Sequence, residues 1–253
     1  MVWVGSLLFW VFLVASSLAL FPVASLVWLV TFMFDRRLVV LHAFTCFWAA
    51  LYTWLNPAWD VTVEGTEHID PRATYVMVSN HQSLLDILVL FRLFTHFKWV
   101  SKLENFQVPF IGWNMSLNRY IKLKRGDRNS VVGMIAACLR TLEQGSSVLF
   151  FPEGTRSETR EMRAFKASAF EIAKRANVPI LPIALDGAGD ALPKSGFALR
   201  GVHAIRLRVL KPIVPAQFRA QSIEKLTADV RDLIAREIDV MRGAPLKATT
   251  VSS

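Results

Sequence analysis

Cysteine is scarce in this chain: Cys46 and Cys138 are the only two in 253 residues. That excludes a disulfide scaffold and a cysteine-rich metal site. Formal charge is missing from long stretches. Residues 1–34 contain no Asp, Glu, Lys or Arg, and after Asp35-Arg36-Arg37 residues 38–59 again contain none, with His42 their one histidine. No Gly-x-Ser-x-Gly elbow occurs, so a serine-hydrolase reading has no nucleophile to rest on. His68, His81, His96 and His203 are scattered along the chain, which speaks against a metal-dependent phosphatase. What is present is an unusual pair of properties. Hydrophobic residues make up 53% and rule out disorder, yet the net charge is +9 and the pI about 9.9. No reader motif or aromatic–basic interleaving turns that charge into a case for nucleic-acid binding.

The two properties separate along the chain. Six of the eight tryptophans lie in residues 1–59, whereas residues 60–253 hold 27 basic and 19 acidic side chains. As helices, 7–34 would be about 42 Å long and 38–55 about 27 Å, against a bilayer core of about 30 Å. Residues 1–59 therefore read as two membrane-embedded helices joined by a charged turn, with Pro22 able to kink or divide the first. A cleaved signal peptide fits poorly, because the start is not basic and the apolar run is too long. A spanning hairpin with Arg36 and Arg37 in the cytoplasm would put everything after residue 59 on the other side; a hairpin dipping into one leaflet would not.

Residues 60–242 alternate between strand and helix patterns. Asp60–Val63, Tyr75–Ser79, Val148–Phe151, Val178–Ala184 and Ala204–Leu210 read as strands. Ser83–Phe97, Asn129–Glu143, Ala164–Ala176 and Ser222–Met241 read as helices. Alternation of this kind implies an α/β fold with a largely parallel sheet flanked by helices. Residues 243–253 read as a polar, disordered tail.

Four segments carry chemistry. Asn80-His81-Gln82-Ser83-Leu84-Leu85-Asp86 follows a strand, where a side chain projects into a cleft. His81 and Asp86 would be about 140° apart on a continuous helix, so they meet only if the chain turns first. In that case Asp86 holds one imidazole nitrogen and leaves the other as a general base. Phe151-Pro152-Glu153-Gly154-Thr155-Arg156-Ser157 also follows a strand; its glycine lets backbone N–H groups approach a ligand, and its arginine can grip phosphate. Lys102, Val108-Pro109-Phe110-Ile111-Gly112 and Lys122–Arg128 form a basic stretch with an apolar lead-in. Val178-Pro179-Ile180-Leu181-Pro182 suits a strand shaping a pocket wall.

In order and content these four blocks resemble the glycerolipid acyltransferases typified by 1-acylglycerol-3-phosphate (lysophosphatidic acid) acyltransferase. The resemblance covers roughly residues 60–215, and the blocks at 80–86 and 151–157 are its most specific part. Two positions depart from the pattern: Arg119 stands where the family often has Gly, and Ser168 replaces Gly after Phe165-Lys166-Ala167. The first is expected to touch the acceptor pocket, the second only helix packing.

The resemblance implies direct transfer of a fatty acyl group from acyl-CoA or acyl carrier protein to a lysophospholipid hydroxyl, with no acyl-enzyme, cofactor or metal. It casts His81 and Asp86 as the catalytic pair. Lys102, Arg125 and Arg156 would hold the acceptor's phosphate. Gly154 and Thr155 would offer oxyanion N–H donors, Glu153 would orient Arg156 or the glycerol, and Asn80 would hold the His81 loop beside the substrate. Acyl thioesters are cytoplasmic, so the catalytic part is expected on the cytoplasmic face of the inner membrane, with the helices in one leaflet. Another acceptor (lyso-ornithine lipid, a different lysophospholipid or glycerol 3-phosphate) and a non-catalytic lipid-binding role are the alternatives.

Overall fold

The computed structural model describes residues 2–159, 161–194 and 196–243. Of the tail expected beyond residue 242, all but Gly243 falls outside them. Two helices come first, α1 (Val2–Thr31) and α2 (Val39–Trp54). Then follow β1 (Trp59–Glu64), β2 (Val76–Ser79), α3 (Leu85–Leu90), β3 (Phe97–Lys102), α4 (Ile111–Leu117), β4 (Ile121–Leu123), α5 (Arg128–Glu143) and β5 (Ser147–Phe150). The remainder is α6 (Ser168–Ala176), β6 (Ile180–Asp186), α7 (Ala188–Ala191), β7 (His203–Val209), α8 (Pro215–Phe218) and α9 (Ile223–Met241).

The strands form one sheet in the order β1-β7-β6-β2-β5-β3-β4, parallel except for the β6–β7 pair. This is the expected largely parallel sheet. Its alternate side chains enter two cores, as the pleat requires. Met77, Leu149, Leu181 and Leu185 join α2 and α3 on one face; Val76, Val148, Ile180 and Ala184 join α5, α6 and α9 on the other. Helix α9 shows how the second core is read from sequence. Ser222 caps it by accepting the Lys225 N–H, and Leu226, Val230, Ile234 and Ile238 recur every four residues on its buried face. Each such side chain contributes about 1.5–3 kcal/mol by leaving water.

Several boundaries differ from the sequence reading. Ser83–Phe97 is not one helix: α3 ends at Leu90, a 3-10 turn covers Phe91–Leu93, Phe94 adopts a left-handed φ of 48°, and Phe97 opens β3. The run is so apolar that periodicity cannot separate a buried helix from a buried strand. Strands β3 and β4 and helix α4 occupy the segment read as a basic stretch. Gly112 is needed there because a Cβ would lie 2.5 Å from the backbone oxygen of Phe106. Helix α6 starts at Ser168, later than Ala164.

The first two helices are unlike one another. Helix α1 runs unbroken through Pro22, is long and apolar enough to cross a membrane, and exposes Trp3, Leu7, Leu8, Val11, Val14 and Leu18. Helix α2 instead buries Leu41, Cys46, Trp48, Ala49 and Tyr52 in the first core, so it is a layer of the α/β body rather than a lipid-facing partner of α1. Composition treats the two alike because apolar side chains suit lipid and protein interiors equally.

The turn between them is bonded to the sheet. Arg37 Nη1 donates to Gly145 O at 2.7 Å, and the Lys98 ammonium donates to Arg37 O and Asn118 O at 2.7 and 2.8 Å. Lys98 is 5% exposed. Burial pushes its pKa down from 10.5 to about 7, with Asp35 acting the other way and Arg119 and Arg37 adding to the depression. Between those two values the unfolded chain holds more protons than the folded one, so stability rises with pH. The unfolding free energy of the wild type relative to Lys98→Met should therefore climb by about 4 kcal/mol from pH 7 to pH 10.5. Denaturant titrations in detergent at stepped pH read this difference, and a flat difference would remove Lys98 as its source.

Candidate active site

Strand β2 ends at Ser79 and α3 begins at Leu85, and the loop between them makes the turn that His81 and Asp86 need. Asp86 is fully buried, and its Oδ2 accepts three N–H groups: His81 Nδ1 at 2.8 Å, Gln82 N at 2.6 Å and Ser83 N at 2.8 Å. An ionised carboxylate can only accept, so Nδ1 carries the hydrogen and Nε2 keeps its lone pair. The His81 side chain is 12% exposed. This is the arrangement of an oriented general base.

The segment after β5 clamps the same residue through its main chain. Glu153 Oε1 accepts the His81 N–H at 2.7 Å, and the Ser157 N–H donates to His81 O at 2.8 Å. Glu153 Oε2 accepts the Arg163 N–H at 2.9 Å. Burial raises the Glu153 pKa, and the two N–H bonds work against that shift. Glu153 is 4% exposed and makes no bond to Arg156, so it pins the base loop where the sequence suggested a partner for Arg156 or the glycerol. Asn80 does hold the His81 loop: its amide exchanges two 2.8 Å bonds with the backbone of Leu185, which seats the loop on β6. Its buried side chain is not part of the cavity wall, so the expected place beside the substrate is not where it points.

His81 forms part of the wall of a cavity of about 490 Å³. Lys102, Arg125, Gly154 and Lys166 supply its polar part. Its apolar part comes from Phe9, Trp10 and Leu13 of α1, Trp48 and Tyr52 of α2, Leu85 and Leu88 near the base, and Trp99 and Met115. Burial pulls the Arg125 guanidinium below its ordinary pKa, with Glu104 opposing. The geometry thus joins a base, a cationic region and an apolar chamber, which is what attack on an amphiphile needs.

Not every expected residue is gathered there. Thr155 and Arg156 do not line the cavity, and Arg156 has no hydrogen bond or ion pair among the described residues. The Gly154 N–H donates to Phe151 O at 3.0 Å, so of the two N–H groups suggested for an oxyanion only that of Thr155 lacks an acceptor among the described residues. Pro179 and Pro182 are absent from the cavity wall. Arg119 is also away from it. It closes α4 in an exposed, left-handed conformation with φ 55°, the conformation that glycine adopts at least cost, so its departure from the pattern concerns a helix end.

Two residues escaped the sequence reading. Gly154 has φ +73°, and the Lys166 side chain lies 2.8 Å from where a Cβ would stand, which brings this cation onto the motif loop. Its signal was the Phe165-Lys166 pair, noted only for the Ser168 that follows. The Phe151 ring lies flat on the His81 imidazole, with centroids 3.8 Å apart and planes 7° from parallel. No spacing rule announces such a contact.

A family model described as Acyltransferase matches residues 60–186, half of the sequence, and spans both clamping loops. The chain belongs to the acyltransferase family. It is 36% identical over 200 residues to a chloroplastic 1-acyl-sn-glycerol-3-phosphate acyltransferase of Arabidopsis thaliana, covering 79% of this chain and 54% of that one. A Saccharomyces cerevisiae 1-acyl-sn-glycerol-3-phosphate acyltransferase is 35% identical over 178 residues, covering 68% and 58%. This acyltransferase chain therefore spans little more than half the length of those curated relatives. The crystal structure of the 1-acyl-sn-glycerophosphate acyltransferase PlsC from Thermotoga maritima shares the fold, with a TM-score of 0.78 at 23% identity, covering 98% of this chain and all of that one.

Glu153→Gln separates the two roles considered for that residue. The amide would turn an NH₂ group toward one of two buried N–H donors, at a cost of about 1–3 kcal/mol. Acyl transfer by the variant should show kcat lowered about tenfold or more with the acceptor KM within about twofold. A raised acceptor KM at unchanged kcat would return Glu153 to the substrate.

Proposed function

We propose that this acyltransferase moves a fatty acyl group from acyl-CoA or acyl-acyl carrier protein to the sn-2 hydroxyl of 1-acylglycerol 3-phosphate, giving phosphatidic acid. The observation that carries the reading is the His81–Asp86 pair in the wall of an apolar cavity that also holds Lys102, Arg125 and Lys166. His81 Nε2 takes the hydroxyl proton as that oxygen bonds to the thioester carbonyl carbon. The tetrahedral intermediate collapses, the C–S bond breaks, and the proton passes from His81 to the departing thiolate. The cations in the cavity wall stabilise the oxyanion. Lys102, Arg125 and Lys166 attract the acceptor's phosphate, and Arg156 adds positive charge on the adjoining loop. The names of the relatives favour this acceptor, and Arg119, at the end of α4, supplies no feature that favours another.

His81→Ala should lower turnover by about 10²–10⁴-fold, the usual range for a positioned base, with folding and membrane attachment intact. Arg156→Ala should raise the acceptor KM with little change in kcat. A panel of lysolipids and acyl thioesters assayed with purified protein tests the acceptor; a preference for another lysolipid would displace lysophosphatidate. Residual turnover near wild type in His81→Ala would end the general-base reading.

The enzyme sits in one leaflet of a membrane, with its catalytic part in the cytoplasm where acyl thioesters are made. Helix α1 supports this by touching the body along its length while its other side is bare. Ser6 Oγ accepts the Leu199 N–H, Trp10 donates to Phe197 O, Ser16 meets Tyr52, and Phe21 packs on Trp113. A helix tied down at both ends lies along the surface, where its bare side can enter the acyl region of one leaflet. Protease added to the cytoplasmic side of sealed vesicles should cleave the α/β body; protection would reverse the orientation.

A further inference from the structure

Phe151 is in contact with the reacting group rather than being a spacer in the motif loop. Its ring and that of His81 are nearly parallel, with centroids 3.8 Å apart. Two neutral aromatic rings prefer offset or edge-to-face packing with centroids about 4.5–7 Å apart. A stack this close and this nearly parallel sets the imidazole over the negative face of the phenyl ring, where a cation is favoured. The imidazole here becomes a cation only when it accepts a proton at Nε2. Both rings are held in place from outside the pair. Asp86 fixes the imidazole through Nδ1, and Trp99 backs Phe151 at 5.3 Å. The Phe151 carbonyl, by accepting the Gly154 N–H, ties the phenyl to the turn that also carries Glu153.

We infer that Phe151 is a positioning and charge-stabilising residue for His81, favouring the imidazolium that forms as the acceptor hydroxyl loses its proton. This rests on the general-base reading above and deepens it. Asp86 stabilises the same charge in the plane of the ring, and Phe151 does so from its face. The two act on different surfaces of one small ring, so neither displaces the other or blocks Nε2. Leucine, of similar bulk, would fill the space without a π face.

The test replaces Phe151 with phenylalanines bearing one, two and three fluorines, which drain the π face while changing shape little, alongside Phe151→Leu, Phe151→Tyr and His81→Ala. Acyl transfer is followed against pH, and thermal melting checks folding. Across the fluorine series kcat should fall stepwise to about tenfold for the trifluorinated ring and for leucine, and the acid limb of the profile should move to lower pH, because the cation forms less readily. Phe151→Tyr, which keeps a π face, should retain more turnover than Phe151→Leu and shift the acid limb less. Equal rates across the series, or slower rates with the acid limb in place, would overturn the inference and reduce Phe151 to packing. Near wild-type turnover in His81→Ala would instead overturn the general-base reading on which it stands.

Discussion

The site depends on one buried oxygen. Asp86 Oδ2 gathers three N–H groups at the start of α3, two from the backbone and one from the imidazole. A carboxylate removed from water is costly unless it is hydrogen-bonded. Here Oδ2 meets that need for the group while Oδ1 is buried without a partner among the described residues, so the turn that brings the three N–H groups together is what makes the charge tolerable. Orientation of His81 follows from that requirement. Glu153, Ser157 and Asn80 then fix the main chain around it, so the base is held by residues from β2, the loop after β5 and the end of β6. In a parallel sheet these segments all emerge on the same side, at the carboxyl ends of neighbouring strands.

The second constraint is amphiphilic. The cavity borders the cationic residues Lys102, Arg125 and Lys166 and also the side chains of α1 and α2. Helix α2 is part of the core, and α1 lies over it through Tyr52 and the aromatic contacts of Phe9. The segment that would meet lipid is therefore also a wall of the chamber beside the base. In this architecture the long apolar helix and the cavity share side chains, so a change in how α1 sits would alter the cavity wall.

Much of this was legible in the order of residues, for identifiable reasons. Strand patterns before the Asn80–Asp86 and Phe151–Ser157 blocks placed both loops at strand ends, and the 140° argument required the turn that the loop after Ser79 makes. Helix α9 was visible from its four-residue apolar repeat and its serine cap. Other features were hidden by composition. Ser83–Phe97 concealed a helix, a turn and the start of β3 because nearly every side chain is apolar. Glu153 looked like a partner for Arg156 or the glycerol because a polar residue in a motif loop carries no mark of whether it faces a ligand or a backbone.

Local pattern thus sets the α/β alternation, the pairing of His81 with Asp86, and the division between an apolar start and a basic remainder, since each depends on neighbours within a few positions. Contacts between distant segments decide the rest: that α2 is core and α1 surface, that Lys166 reaches Gly154, that Glu153 serves the His81 loop, and that Phe151 covers the imidazole. These pairings join residues far apart in the chain, and only the packing of strand ends beside one another brings them within bonding distance.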